Sequence, residues 1–117
     1  MCLRVLDIAH GRPARDLPVH VERQLPEGWT VVYAGSTGQT GSVDDIFSAY
    51  AGQGRANAGL YRLTLDCARY FGLQGISVFY REATLTFFLA DTSERHVLTV
   101  TVSPLAFTTC RTNNEQR

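Results

Sequence analysis

A chain of 117 residues has room for a single domain over 1–117, and a domain of that size buries roughly two thirds of its unfolded surface and folds without staples. Apolar residues make up 44%, an ordinary globular share, and 11 basic residues balance 11 acidic ones. Zero net charge argues against nucleic acid and against an anionic membrane surface as partners.

The predicted elements are short β-strands between turn residues. Leu3 to Ile8 forms a first strand, closed by the turn His10-Gly11-Arg12-Pro13. Val19 to Arg23 alternates Val19 and Val21 with His20 and Glu22, the pattern of a half-buried strand. Trp29 to Ala34 is the third strand. The Gly-rich stretch 35–42 follows; it has no Lys and no regular spacing, so it reads as a hairpin or loop and not as a phosphate cradle. Asp44 to Phe47 opens a helical turn, and Gly52, Gly54, Asn57 and Gly59 mark a loop. Leu60 to Leu65 is a strand. A short helix then starts at Asp66 as N-cap and ends near Gly72. Ala83 to Leu89, Val97 to Val102 and Phe107 to Arg111 complete the strands, and the polar tail from Thr112 is expected to fray. Seven or eight strands with one short helix specify an all-β, antiparallel sandwich.

All the basic residues are arginine and lie scattered along the chain, which a GC-rich genome explains. Cys2, Cys67 and Cys110 fit neither a zinc motif nor a disulfide framework. They point to a reducing compartment. No stretch reaches the apolar length of a signal peptide or of a membrane span, so the expectation is a cytoplasmic protein with no membrane partner and no metal or other cofactor.

Side chains alternate across a strand. In the last two strands, Thr99, Thr101, Ala106, Thr108 and Cys110 therefore line one surface, all small and uncharged. Threonine is a good solvent-face residue, yet solvent faces usually carry Lys, Glu or Arg. Two readings stay open on pattern alone: an ordinary outer face, or a face covered by a second subunit.

Four segments, in order and spacing, resemble the transthyretin/5-hydroxyisourate hydrolase family. Val5-Leu6-Asp7 followed by Gly11-Arg12-Pro13-Ala14 is similar to its opening V-L-D-x-x-x-G-x-P-A. Gly59 to Asp66 with Tyr70-Phe71 is similar to G-x-Y-x-L-x-F-D-x-x-x-Y-F. Phe79-Tyr80-Arg81-Glu82 with Thr84 to Phe87 is similar to F-Y-P-E-x-T-I-x-F, and Ser103-Pro104 with Thr108, Thr109 and Arg111 to the closing S-P-Y-x-Y-S-T-Y-R-G-S. The resemblance implies a transthyretin-like (prealbumin-like) sandwich of two four-stranded sheets. It also implies a homotetramer, a dimer of dimers, whose binding channels are walled by the first strand and the last two.

The sequence departs from the hydrolase branch at the positions to which the resemblance assigns chemistry. Arg4 stands where that branch has His before V-L-D, Ser42 where an Arg closes a T-N-x-D-G-R loop, and Val97 where a second His precedes S-P. Of its terminal Y-R-G-S, only Arg111 remains, in Cys110-Arg111-Thr112-Asn113. His96 is one residue from Val97, and a one-residue slip turns a side chain to the other face. His10 and His20 read as surface residues. Arg4 cannot act as a base, because it stays protonated, but it can hold an anion or an oxyanion. Cys110 is the remaining nucleophile candidate, against the plainer role of filling a narrow channel. Arg111 adds a second positive group nearby, though a strand position leans it away from the Cys110 face, and a structural ion pair is its alternative role.

The expected function is a diverged hydroxyisourate hydrolase-like enzyme, with Arg4, Cys110 and Arg111 as candidate catalytic residues. Leu6, Ser42, Val97, Thr99, Thr101 and Thr108 are the substrate-binding set. The substrate would be a small cyclic molecule, hydrolysed, cyclised or isomerised, in a setting such as bacterial secondary metabolism. The alternatives are a non-catalytic transthyretin-like small-molecule binder and a hydroxyisourate hydrolase of purine catabolism with an altered site.

Overall fold

Alternation of apolar and polar residues drives the strands, because each strand must bury one face against the opposite sheet. The computed structural model describes residues 1–47, 58–90 and 96–113. The strands are β1 (Cys2–Asp7), β2 (Arg12–Pro13), β3 (Pro18–Leu25), β4 (Gly28–Ser36), β5 (Ser42–Val43), β6 (Gly59–Leu65), β7 (Ala83–Leu89), β8 (His96–Val102) and β9 (Phe107–Asn113). The one helix among the described residues, α1, is Cys67–Gly72.

One sheet runs β2-β1-β8-β9, with β5 paired to β1; the other runs β4-β3-β6-β7. Leu3 and Val5 from β1, and Val100 and Val102 from β8, meet Val19, Val21, Tyr61, Leu63 and Leu65 of the second sheet in one buried core. Phe47 packs edge-on against Tyr61, with ring centroids 5.1 Å apart. This is the transthyretin-like sandwich expected, with one refinement. The central pair β1–β8 is parallel, from Cys2↔Val97 to Asp7↔Val102. The chain passes through the other sheet between these strands, so β8 can return in the direction of β1. Every other strand pair among the described residues is antiparallel.

Asp66 caps α1 by accepting from the Arg69 N–H at 3.0 Å, and Gly75, at φ +76°, turns the chain away after it. The expected loop over 52–59 lies outside the described residues except for its end, where Gly59 opens β6. Ile46 and Phe47 are buried, and the Phe47 N–H is held by the Asp45 carboxylate at 3.1 Å. Thr112 and Asn113, expected to fray, continue β9 opposite Val97 and His96.

Ser42 also departs from the expected loop. It lies in β5, opposite Arg4. Gly41 makes that possible: its φ is +75°, and a Cβ there would come within 2.6 Å of the Val5 carbonyl oxygen. The Gly41 carbonyl accepts from the Val5 N–H at 2.7 Å. Only glycine fits such an approach in the left-handed region, and it brings Ser42 against β1.

Candidate functional site

In β1, Leu3, Val5 and Asp7 are buried, while Arg4 and Leu6 are exposed. The register extends that outer face across three strands. Arg4 pairs with Thr99, and Thr99 with Cys110; Leu6 pairs with Thr101, and Thr101 with Thr108. Directly paired residues point to the same side of a sheet. A guanidinium, a hydroxyl and a thiol thus form one row, and a leucine and two threonines the next. Cys2, Val97 and Thr112 form a third row. Ser42 flanks Arg4 on the far side, and its hydroxyl bonds Thr40 Oγ1 at 2.7 Å. The Thr101 and Thr108 hydroxyls hydrogen-bond each other.

The fold therefore brings together every sequence-derived site residue except Arg111. Arg111 pairs with Leu98 and faces the other way, where its Nη1 donates to His96 Nδ1 at 2.7 Å. His96 is buried and shares the interior side of β8 with Val100 and Val102. Strand parity sends His96 inward and Val97 outward, and β8 pairs with both neighbours without a register shift. Tyr80 and Glu82 sit before β7, away from this face: Tyr80 packs edge-on against Phe79 and Phe107, and Glu82 accepts from Thr84.

Arg4 is the charged side chain in these rows, and no carboxylate of the described residues lies within ion-pair distance of it. A guanidinium on a surface of hydroxyls and methyl groups is set to meet an anion or a polarised oxygen brought by a ligand. The described residues contain no group of three or more His, Cys, Asp or Glu side chains placed to hold a metal ion. No described helix is long and apolar enough to cross a membrane.

Sequence reasoning missed Cys2, Thr112 and Pro13, which pairs with Leu6, as members of this surface, although parity from Arg4 and Val97 was enough to place the first two. It also missed what fixes the end of β1. Asp7, with no exposed surface, accepts from the Tyr70 hydroxyl at 2.8 Å, from His10 Nδ1 at 2.7 Å and from the His10 backbone N–H at 3.1 Å. His10 is a turn residue, as expected, and it is also the partner of this carboxylate.

The three cysteines are free thiols in unlike settings. Burial, helped by the nearby Asp66 carboxylate, pushes the Cys67 thiol up to about 11, and a protonated buried thiol is inert. Cys110 is exposed on the open sheet face. Iodoacetamide at neutral pH should therefore modify Cys110 and leave Cys67 untouched until the protein is unfolded. Peptide mass spectrometry of the native and the denatured protein reads this directly; early labelling of Cys67 would contradict the packing of α1.

The HIUase/Transthyretin family profile matches residues 1–112. A 5-hydroxyisourate hydrolase of Salmonella dublin is 26% identical over 111 residues, which are 95% of this chain and 79% of that protein. A transthyretin of Aquarana catesbeiana is 28% identical over 111 residues, covering 93% and 70%. Among solved structures, sea bream transthyretin in complex with thyroxine superposes with a TM-score of 0.86 at 25% identity, over 99% of this chain and 97% of that one. The shared order of strands and motifs, over nearly the whole length, places the chain in the HIUase/Transthyretin family.

Proposed function

We propose that this protein is a diverged member of its family that takes a small cyclic molecule, carbonyl-bearing or anionic, on the Arg4 face, in a channel completed by further copies of the same chain. The observation that carries the reading is the row Arg4–Thr99–Cys110: a cation with no ion-pair partner among the described residues, beside neutral, hydrogen-bonding and thiol groups. A single chain leaves this row as open sheet. A second copy laid over it gives the ligand walls, excludes water and strengthens each polar contact.

Free edges support the assembly. β7 and β9 each end their sheet and flank an apolar cavity of about 240 Å³ lined by Phe87, Phe88 and Leu98. Unpaired strand edges are templates for pairing with another chain. Light scattering at micromolar concentration should give the mass of a tetramer, a dimer of dimers. A monomer mass would remove the channel and the site with it.

In the catalytic form of the proposal, water adds to a ring carbonyl carbon, Arg4 stabilises the negative charge that develops on the carbonyl oxygen, and the ring bond to that carbon breaks as the departing ring atom takes up the proton the water gives up. With Cys110 Sγ as the nucleophile the resulting thioester is released by water, and ring closure is the reverse course. Cytoplasmic action on a specialised metabolite of bacteria is the finer part of this reading, and neighbouring genes for a synthase, as opposed to purine catabolism, would support it. The second reading is a transthyretin-like binder without catalysis, favoured by the thyroxine complex of the superposed relative.

Thyroxine, with its carboxylate and aromatic rings, is the probe to hand. Arg4→Ala should weaken its binding by ~1.5–3 kcal/mol, the usual worth of a charge-assisted hydrogen bond, which is roughly ten- to a hundredfold in Kd. Arg4→Lys should recover part of this, since the forked donor is lost. The tetramer should survive or tighten, because the cations facing each other across the channel are gone. Calorimetric titration of the parent and both variants decides it: equal affinity in all three would place the ligand elsewhere.

A further inference from the structure

A second concavity lies where the turn after β1 meets the end of α1, bordering the channel face at Pro13, which pairs with Leu6. It is a cleft of about 400 Å³, within the size range of small-ligand pockets. Arg12 and Arg15 stand on its walls with one carboxylate, Asp16. Neither arginine makes an ion pair with a described residue. Among the described residues Arg15 makes no hydrogen bond or ion pair, and Arg12 Nη2 donates to a neutral amide, Gln74 Oε1, at 3.4 Å.

The cleft is built before any ligand arrives. Beneath it Asp7 is already engaged by Tyr70 and His10, so its charge is not free to absorb the arginines. The Tyr70 hydroxyl gives its proton to Asp7 at 2.8 Å. Gln74 is pinned in turn, its Nε2 donating to the Tyr70 carbonyl at 3.1 Å. The segment carrying Arg15 is clamped by buried Thr37, whose hydroxyl donates to the Ala14 carbonyl at 2.6 Å and accepts from the Leu17 N–H at 2.9 Å. Asp16 N–H bonds the Thr37 carbonyl at 3.0 Å. Pre-ordered donors lose little freedom on binding. The remaining walls include Pro13 and Leu73, and Leu73 is 76% exposed, an apolar surface that a ligand would cover.

We infer that this cleft is a second binding site, separate from the Arg4–Thr99–Cys110 row and sharing only Pro13 with that face, for a small carboxylate attached to an apolar ring. The two guanidinium groups suit the carboxylate, which Arg binds as a fork, and Pro13 with Leu73 suits the ring.

Benzoate is the probe, with benzyl alcohol as its uncharged counterpart, titrated into the intact protein and followed by amide chemical shifts. Benzoate at millimolar concentration should shift the amides of Arg12, Arg15, Gln39 and Gln74 along a saturating curve. Benzyl alcohol should bind there roughly tenfold more weakly or worse, as the loss of a charge-assisted contact requires. Arg15→Gln, which removes no contact seen in the fold, should lower benzoate affinity by a similar factor with an unchanged circular dichroism spectrum. Arg12→Gln should act likewise. Arg4→Ala should leave the cleft titration unaltered, which separates this site from the channel. No saturating shift at these amides, equal affinity for benzyl alcohol, or full affinity in Arg15→Gln would each overturn the inference.

Discussion

Hydroxyisourate supplied to this protein should open at close to its spontaneous rate. Hydrolysis needs a base to activate water and a fixed cation or donor at the oxyanion. Of the family positions implied for these tasks, two histidines are Arg4 and Val97 here, and an arginine is Ser42. A lost acid–base group costs ~10²–10⁴ in rate and a lost oxyanion donor ~10²–10³; because such groups act together the factors do not simply multiply. The alternative source of an imidazole, His96, is turned inward and bonded to Arg111, and β8 keeps register with both β1 and β9. It cannot reach the outer face without a one-residue slip of β8, and the register shows none. A spectrophotometric assay on freshly generated hydroxyisourate measures the outcome. Turnover at an ordinary enzymatic rate would mean that Arg4 and Cys110 supply a different hydrolytic chemistry. The triple change Arg4→His, Ser42→Arg and Val97→His, all on one face, should raise the rate above the parent if the replacements are the cause.

The face was legible in the sequence because parity is local: alternation along β8 and β9 puts Thr99, Thr101, Thr108 and Cys110 together without knowledge of partners. The short helix was equally legible, since Asp66 is a local acceptor for the Arg69 N–H. What parity cannot carry is direction and company. Nothing in Leu3 to Ile8 says that β1 pairs with β8, or that the pair is parallel. Ser42 read as loop because β5 is two residues long and depends on a glycine turn pressed against Val5. Arg111 was correctly tilted away from Cys110, but its bond to His96 needs the register of two strands. The Asp7–Tyr70 bond spans 63 residues of sequence and leaves no periodic trace at all.

Replacing Asp7 should be among the most destabilising single changes in the chain. Its carboxylate is fully buried, and burial alone would raise its pKa; hydrogen bonds from Tyr70 and His10 outweigh that and hold it below the usual carboxylate value. Each hydrogen bond to a charged group is worth roughly 1.5–3 kcal/mol, so losing both side-chain bonds in Asp7→Ala should cost about 3–5 kcal/mol, with the Tyr70 hydroxyl left buried and unpaired. The sign with pH follows from the depressed pKa. In the unfolded chain Asp7 titrates at its ordinary, higher value, so its contribution is complete above that value and disappears as pH falls through the folded one. The stability gap between the parent and Asp7→Asn should therefore be widest near neutrality and narrow in acid. Tyr70→Phe removes one of the bonds that lower the Asp7 pKa, so acid unfolding should begin at a higher pH than in the parent. Urea unfolding from acid to neutral pH, at one fixed protein concentration because assembly adds to apparent stability, measures all three. A gap independent of pH would mean that Asp7 contributes by packing and not by charge. Asp7 also follows Leu6 and pairs with Arg12, so the same variants should loosen the end of β1 and blunt ligand binding on the Arg4 face.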